Sequence, residues 1–66
     1  MNRKIAEVEV IHCMKCYLRD IRTKCSDYYY RKRRVEVLEA AREIVNAVRY
    51  KVLVNLIEEM EAEENA

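Results

Sequence analysis

The middle of the chain combines aromatic rings with a run of positive charges. Residues 28–30 are three tyrosines, and residues 31–34 are three arginines and one lysine. Such a segment can contact nucleic acid, because cations bind phosphates and aromatic faces stack on bases. In the alternative interpretation, Tyr28 continues an apolar stripe, the next two tyrosines shield a turn and the cations pair with an acidic segment of a partner. The residues of the predicted nucleic-acid contact are Tyr29, Tyr30, Arg31, Lys32, Arg33 and Arg34.

Sulfur and imidazole groups form the second chemical feature. His12 and Cys16 are one helical turn apart, Cys13 lies between them and Cys25 follows. On a continuous helix Cys25 is about 13 to 18 Å along the axis from the other two cysteines, too far to share a metal ion with them. Nucleophilic catalysis lacks a third group that orients His12. We therefore expect the cysteines to be small apolar fillers with one exposed thiol, and we expect Cys25 to belong to a buried apolar stripe. We expect no metal, cofactor, small-molecule substrate or enzyme activity.

The composition excludes several classes of protein. The 66 residues contain no Gly, Pro, Trp or Phe. Without glycine the chain cannot form the dinucleotide fingerprint, the P-loop or the EF-hand loop. With 52% hydrophobic and 38% charged residues the chain can fold as one small domain. A domain of this size buries only roughly 60% of the surface that its unfolded chain exposes, so it often needs a partner subunit.

Charge divides the chain into two halves. Residues 1–34 carry ten Lys/Arg against four Asp/Glu, whereas residues 35–66 carry three against eight. The three cysteines, an odd number, do not suggest a secreted disulfide framework. No apolar run approaches the roughly 18 residues of a membrane span, and the charged start does not resemble a signal peptide. We therefore predict an intracellular, cytoplasmic protein without membrane attachment.

Apolar residues recur every three or four positions in both halves, which predicts two amphipathic helices at about residues 3–25 and 28–63. On one straight helix the two apolar stripes would point in nearly opposite directions, so the chain must bend. Ser26 and Asp27 are the predicted bend, because both can cap a following helix. A short connection makes the helices antiparallel. Ile5, Val8, His12 and Cys16 form a further short apolar strip that suits a partner.

The N-terminal segment has a rival interpretation. Residues 6–10 alternate between apolar and acidic side chains, as in a half-buried strand. A strand followed by two helices is the order of the ribbon-helix-helix DNA-binding dimers. The long second helix and the early end of the alternation disfavour this alternative.

Two helices cannot cover both apolar stripes, so the predicted fold is all-α: a helical hairpin spanning residues 1–66 that dimerises into an antiparallel four-helix bundle. In that dimer the basic turn of one copy would lie near the acidic end of the other and favour the antiparallel orientation. The predicted dimer core consists of Ile11, Met14, Leu18, Ile21, Leu38, Ala41, Val45, Val48, Val52 and Leu56.

These stripes resemble the Rop family of helical-hairpin dimers and the small helical-hairpin proteins of viruses that infect hyperthermophilic archaea. The resemblance implies a homodimeric adaptor that contacts another protein, in the host cytoplasm if the chain is viral. No RNA-binding position is carried over from the Rop family. The alternative function is a small nucleic-acid-binding regulator that uses the basic, tyrosine-rich turn.

Overall fold

Three helices make up the structure, a computed structural model that describes the backbone of residues 7–65 and the side chains of residues 7–63. Helix α1 spans Glu7–Lys24, α2 spans Asp27–Ile44 and α3 spans Ala47–Asn65. Over the described range there is no strand, which confirms the all-helical class. Each helix contacts the other two.

The bend between α1 and α2 lies where the sequence predicts it. Ser26 is extended and its Oγ accepts a hydrogen bond from the backbone N–H of Tyr29 at 3.1 Å. This bond satisfies one of the free N–H groups of the first turn of α2. Helix α1 ends at Lys24, one residue before the predicted end, and its predicted start near residue 3 lies outside the described residues.

The rival strand is wrong for the part of it that the structure describes. Residues 7–10 form the first turn of α1 and are not extended. Glu7 and Glu9 are both in that turn. Carboxylates are favourable there because the N-terminal end of a helix carries a partial positive charge.

The predicted single helix over residues 28–63 is also wrong, because the chain turns a second time at Val45 and Asn46. Val45 is extended, with φ −112° and ψ 161°, and Asn46 Oδ1 accepts a hydrogen bond from the N–H of Arg49 at 2.9 Å. The apolar spacing of Ala41, Val45, Val48 and Val52 continues across this turn, so periodicity alone could not reveal it. The break lets α3 fold back and cover the hairpin within one chain.

One core lies between the three helices. Met14, Leu38 and Leu56 pack against it while partly buried. Four of its members, Tyr30, Leu53, Ile57 and Met60, are absent from the set predicted by the helical stripes, because their burial depends on how α3 folds back. The buried residues are Ile11, Leu18, Ile21, Tyr30, Ala41, Val45, Leu53, Ile57 and Met60.

Two residues of the predicted core lie on the surface of the single chain. Val48 is 72% exposed and Val52 is 39% exposed. Both follow the second turn, where α3 directs Leu53 and Ile57 toward the core instead. Burial of Val48 and Val52 in a dimer stays a prediction.

Candidate functional site

The tyrosine-rich, basic run does not form one surface, because it winds around almost two turns of α2. Tyr30 is 3% exposed, whereas Tyr28 is 76% exposed. Tyr28 therefore lies outside the core of the single chain, and Tyr30 takes the buried position. Side chains two residues apart on a helix are separated by a rotation of about 200°, so they point to nearly opposite sides. This rotation explains why Tyr30 is buried while Tyr28 is exposed.

Tyr30 belongs to a polar cluster that joins all three helices. Its hydroxyl donates a 2.5 Å hydrogen bond to Oε2 of Glu61, on α3. The same oxygen accepts a 2.6 Å hydrogen bond from Nε of Arg34. Arg22, on α1, places its guanidinium 5.2 Å from the centre of the Tyr30 ring. We call these four residues the Tyr30 cluster.

Electrostatics in the Tyr30 cluster favour a neutral phenol beside an ionised carboxylate. Burial, followed by the hydrogen bond and the negative charge of Glu61, raises the pKa of Tyr30 to about 12. Burial alone would raise the pKa of Glu61, but the hydrogen bonds from Tyr30 and Arg34 outweigh it and lower that pKa below its usual value. Burial disfavours the charged form of Arg34 too, yet its bond to Glu61 raises its pKa.

The Tyr30 cluster changes the interpretation of two predicted nucleic-acid contacts. The Tyr30 ring is buried and cannot stack on a base, which makes it wrong as a stacking residue. The Arg34 guanidinium bonds Glu61 while only 28% of its side chain is exposed. The cation-to-acid pairing that the sequence suggested between two copies therefore forms within one chain, because α3 folds back on α2.

The remaining predicted contacts stay on the outer side of α2. Arg33 lies over Tyr29, with its guanidinium carbon 5.3 Å from the ring centre and its Nε donating to the phenol oxygen at 3.1 Å. Arg33 also pairs with Glu36, and Arg31 pairs with Asp27 at 3.0 Å. Lys32 is exposed.

Tyr17, on α1, joins this outer surface although the sequence analysis did not include it in the site. Contacts between Arg22 and Tyr30 and between Glu7 and Asn46 set the antiparallel register of α1 and α2. This register places Tyr17 level with the turn of α2 that holds Arg33. The hydrogen bond from Arg33 to Tyr29 is the main cause that raises the pKa of Arg33; the negative charge of Glu36 comes next, and Tyr29 and Tyr17 make smaller electrostatic contributions.

All three cysteines are exposed free thiols in the single chain, including Cys25, which the sequence placed in the buried stripe. Cys25 follows the last residue of α1, where the chain has already left the helix. Cys16 Sγ is 3.7 Å from Nε2 of His12, as their one-turn spacing predicts. Among the described residues no three or more His, Cys, Asp or Glu side chains come together as a metal site.

An exposed apolar surface runs along α1 and α3. Arg19 and Glu63 approach to 4.0 Å, which sets the parallel register of these two helices. Val8 precedes Arg19 by as many residues as Val52 precedes Glu63, so the two valines lie at the same level of the parallel helices. Val8 is half exposed, and of the predicted strip His12 and Cys16 are exposed as well, whereas Ile5 lies outside the described residues.

Over the described residues these features define a small all-helical protein with three helices around one core, a partly buried polar cluster and separate aromatic and apolar surfaces. No helix in the described part of the chain is long and apolar enough to cross a membrane. No family model matches the sequence. Comparisons with curated proteins and with solved structures likewise found no match.

Proposed function

We propose that this chain is a non-enzymatic homodimeric adaptor whose two copies associate through one face of α3. Val48, Val52 and Leu56 follow one another at intervals of four residues and therefore form a row along that face. We call them the α3 row. The 72% exposure of Val48 is the observation that carries the proposal.

Helix α3 is apolar on more than one side. Leu53 and Ile57 are fully buried against α1 and α2, whereas in the α3 row Val48 and Val52 are exposed and Leu56 is only partly buried. A surface helix normally has a single apolar stripe, and a helix that is apolar over most of its circumference is usually covered on all those sides. A second molecule is the simplest cover for the side that this chain leaves open.

The α3 row suits a second copy because its pattern is symmetric about Val52. When two α3 helices pack antiparallel around a two-fold axis at Val52, Val48 of one copy lies opposite Leu56 of the other, and the two Val52 side chains meet. Two-fold interfaces require such a self-complementary patch. Val8, level with Val52 on the neighbouring helix, widens the apolar contact.

Charge supports the same antiparallel arrangement. In that dimer Glu59 of one copy lies opposite Val45 of the other, beside the first turn of its α3. Glu59 is exposed, and no ion pair involves it within the described residues. A carboxylate near a helix N-terminus is worth roughly 0.3–1 kcal/mol, so each Glu59 would favour this orientation.

The proposed dimer leaves the outer face of α2 free in each copy. Two identical charged faces on one particle allow an adaptor to hold two copies of another macromolecule. The pattern-level resemblance to helical-hairpin dimers supports association in pairs. The three-helix fold departs from a two-helix hairpin, so the packing proposed here is different.

The molar mass in solution tests this function. Size exclusion with light scattering, from micromolar to millimolar chain, is expected to approach twice the 8.0 kDa chain mass. Val48→Asp should leave a folded monomer, because Val48 is the second residue of α3 and an acidic residue is favourable in the first turn of a helix. Val35→Asp is the matched control, since Val35 is an equally apolar, 54% exposed residue of α2.

Circular dichroism accompanies each mass measurement to show that the variants remain helical. A wild type that stays at 8.0 kDa at every concentration contradicts the proposal. A Val48→Asp variant that dimerises as well as the wild type shows that the α3 row is not the interface.

A further inference from the structure

Two exposed tyrosines and a cationic group lie together on the side of the molecule where α1 and α2 meet. Tyr17 is 47% exposed and Tyr29 is 37% exposed. Arg33 bonds to Tyr29, and Lys32 is one turn along the helix from that tyrosine. We call Tyr17, Tyr29, Lys32 and Arg33 the stacking surface. We propose that the stacking surface binds single-stranded nucleic acid.

The side chains of the stacking surface are already held in place. The Arg33 guanidinium carbon is 5.3 Å from the centre of the Tyr29 ring, and its Nε bonds the phenol oxygen at 3.1 Å. These two contacts fix the ring and the cation relative to each other. The register of α1 and α2 places the second ring, Tyr17, level with residues 35–36, within one helical turn of Arg33. Preorganised groups lose less conformational entropy on binding.

The chemistry of this surface favours a single strand over a duplex. Exposed aromatic rings stack on unpaired bases with little dependence on sequence, while nearby cations bind the backbone phosphates. Bases in a duplex are already stacked and hide their faces. The guanidinium of Arg33 can also form two parallel hydrogen bonds to a phosphate, which a lysine cannot.

The cations near the surface can exchange their present partners for phosphates. Arg33 pairs with Glu36, with 39% and 46% of their side chains exposed, and the neighbouring pair of Arg31 and Asp27 is largely exposed. Exposed ion pairs of this kind contribute little to stability, so replacing the carboxylate by a phosphate costs little. The partly buried bond between Arg34 and Glu61 lacks this freedom, which is why Arg34 is outside the proposed site.

This inference goes beyond the proposed adaptor function and does not depend on it. Tyr17 and Val8 are nine residues apart on α1, and nine steps of about 100° place them on opposite sides of the helix. The stacking surface is therefore remote from the α3 row. A monomeric Val48→Asp variant should bind nucleic acid as the wild-type chain does, so the two proposals can fail separately.

Fluorescence anisotropy with labelled 12-nucleotide oligo(dT) and oligo(U) tests the proposal. We expect each of Tyr17→Leu and Tyr29→Leu to weaken binding by roughly tenfold, since one stacked base is lost. Tyr28→Leu should bind as the wild type does, because Tyr28 is the most exposed of these tyrosines and lies away from Arg33. Arg33→Gln should weaken binding and reduce its dependence on salt between 50 and 200 mM.

Three results would overturn the proposal. The first is a wild-type chain that binds neither oligonucleotide at 50 mM salt, as expected if the surface contacts a protein instead. The second is binding that depends on Lys32 and Arg33 but is unchanged in both leucine variants, which would indicate attraction of charges without stacking. The third is tighter binding to a duplex than to a single strand of the same length.

Discussion

Replacing Tyr30 by phenylalanine isolates one hydrogen bond in the cluster that joins the three helices. The ring fits the same buried position and keeps the Arg22 guanidinium above it at 5.2 Å. Only the hydroxyl that donates to Glu61 is lost. The variant therefore separates the polar contribution of Tyr30 from its contribution to core packing.

The expected cost follows from the partners in the Tyr30 cluster. A hydrogen bond to a charged group contributes about 1.5–3 kcal/mol. Glu61 keeps its 2.6 Å bond from Arg34, so the carboxylate still has a donor and the lower end of this range applies. We predict a loss of about 1.5 kcal/mol at pH 7. In a domain of this size that loss lowers Tm by roughly 6–12 °C.

The same variant should remove an alkaline loss of stability. The folded state raises the pKa of Tyr30 from about 10 to about 12, so between these values the folded chain keeps a proton that the unfolded chain releases. The free energy of unfolding contributed by this group is complete below pH 10 and decreases as the pH rises toward 12. By pH 11 the wild type should have lost about 1.4 kcal/mol from this source.

Urea unfolding followed by circular dichroism from pH 7 to pH 11 measures both effects at one chain concentration. Tyr28→Phe is the matched control, because Tyr28 is 76% exposed and its change should alter stability by less than about 0.5 kcal/mol. The reasoning is refuted if Tyr30→Phe is as stable as this control at pH 7. It is equally refuted if the variant and the control lose the same stability between pH 10 and 11.

Three further substitutions test the carboxylate of Glu61, the packing of the core and the cap at the second turn. The lowered pKa of Glu61 means that its stabilisation is present above its usual pKa and is lost as the pH falls through the folded value, so Glu61→Gln should flatten the acid side of a urea-unfolding profile between pH 6 and 3. Leu53→Ala should cost about 2–5 kcal/mol in denaturant unfolding, whereas Val35→Ala on the surface should change stability by less than about 0.5 kcal/mol. Asn46→Ala should cost about 1 kcal/mol in the same measurement, because Asn46 caps α3, and an unchanged stability would show that the cap is dispensable.

Local signals in the sequence are enough to predict the helical class and the first turn. The stripe of Ile11, Leu18 and Ile21 specifies a buried face of α1, and all three residues are in the core. Ser26 marks the start of α2 because its hydroxyl can accept a backbone hydrogen bond only two or three residues away. Such features depend on neighbours in the chain, so they can be recognised before any tertiary contact is known.

Apart from the capping residue Asn46, no local signal marks the second turn, and the division of the central run into two surfaces depends on tertiary structure. Ala41, Val45, Val48 and Val52 keep helical spacing through the turn, so a straight helix and a folded one fit the same pattern. Only the packing of α3 against α1 and α2 selects Leu53 and Ile57 as core residues and leaves Val48 exposed. The same packing brings Glu61 to Tyr30, 31 residues away. Helical periodicity carries no information about contacts at such separations, because they depend on how three rigid helices bury their apolar surfaces together.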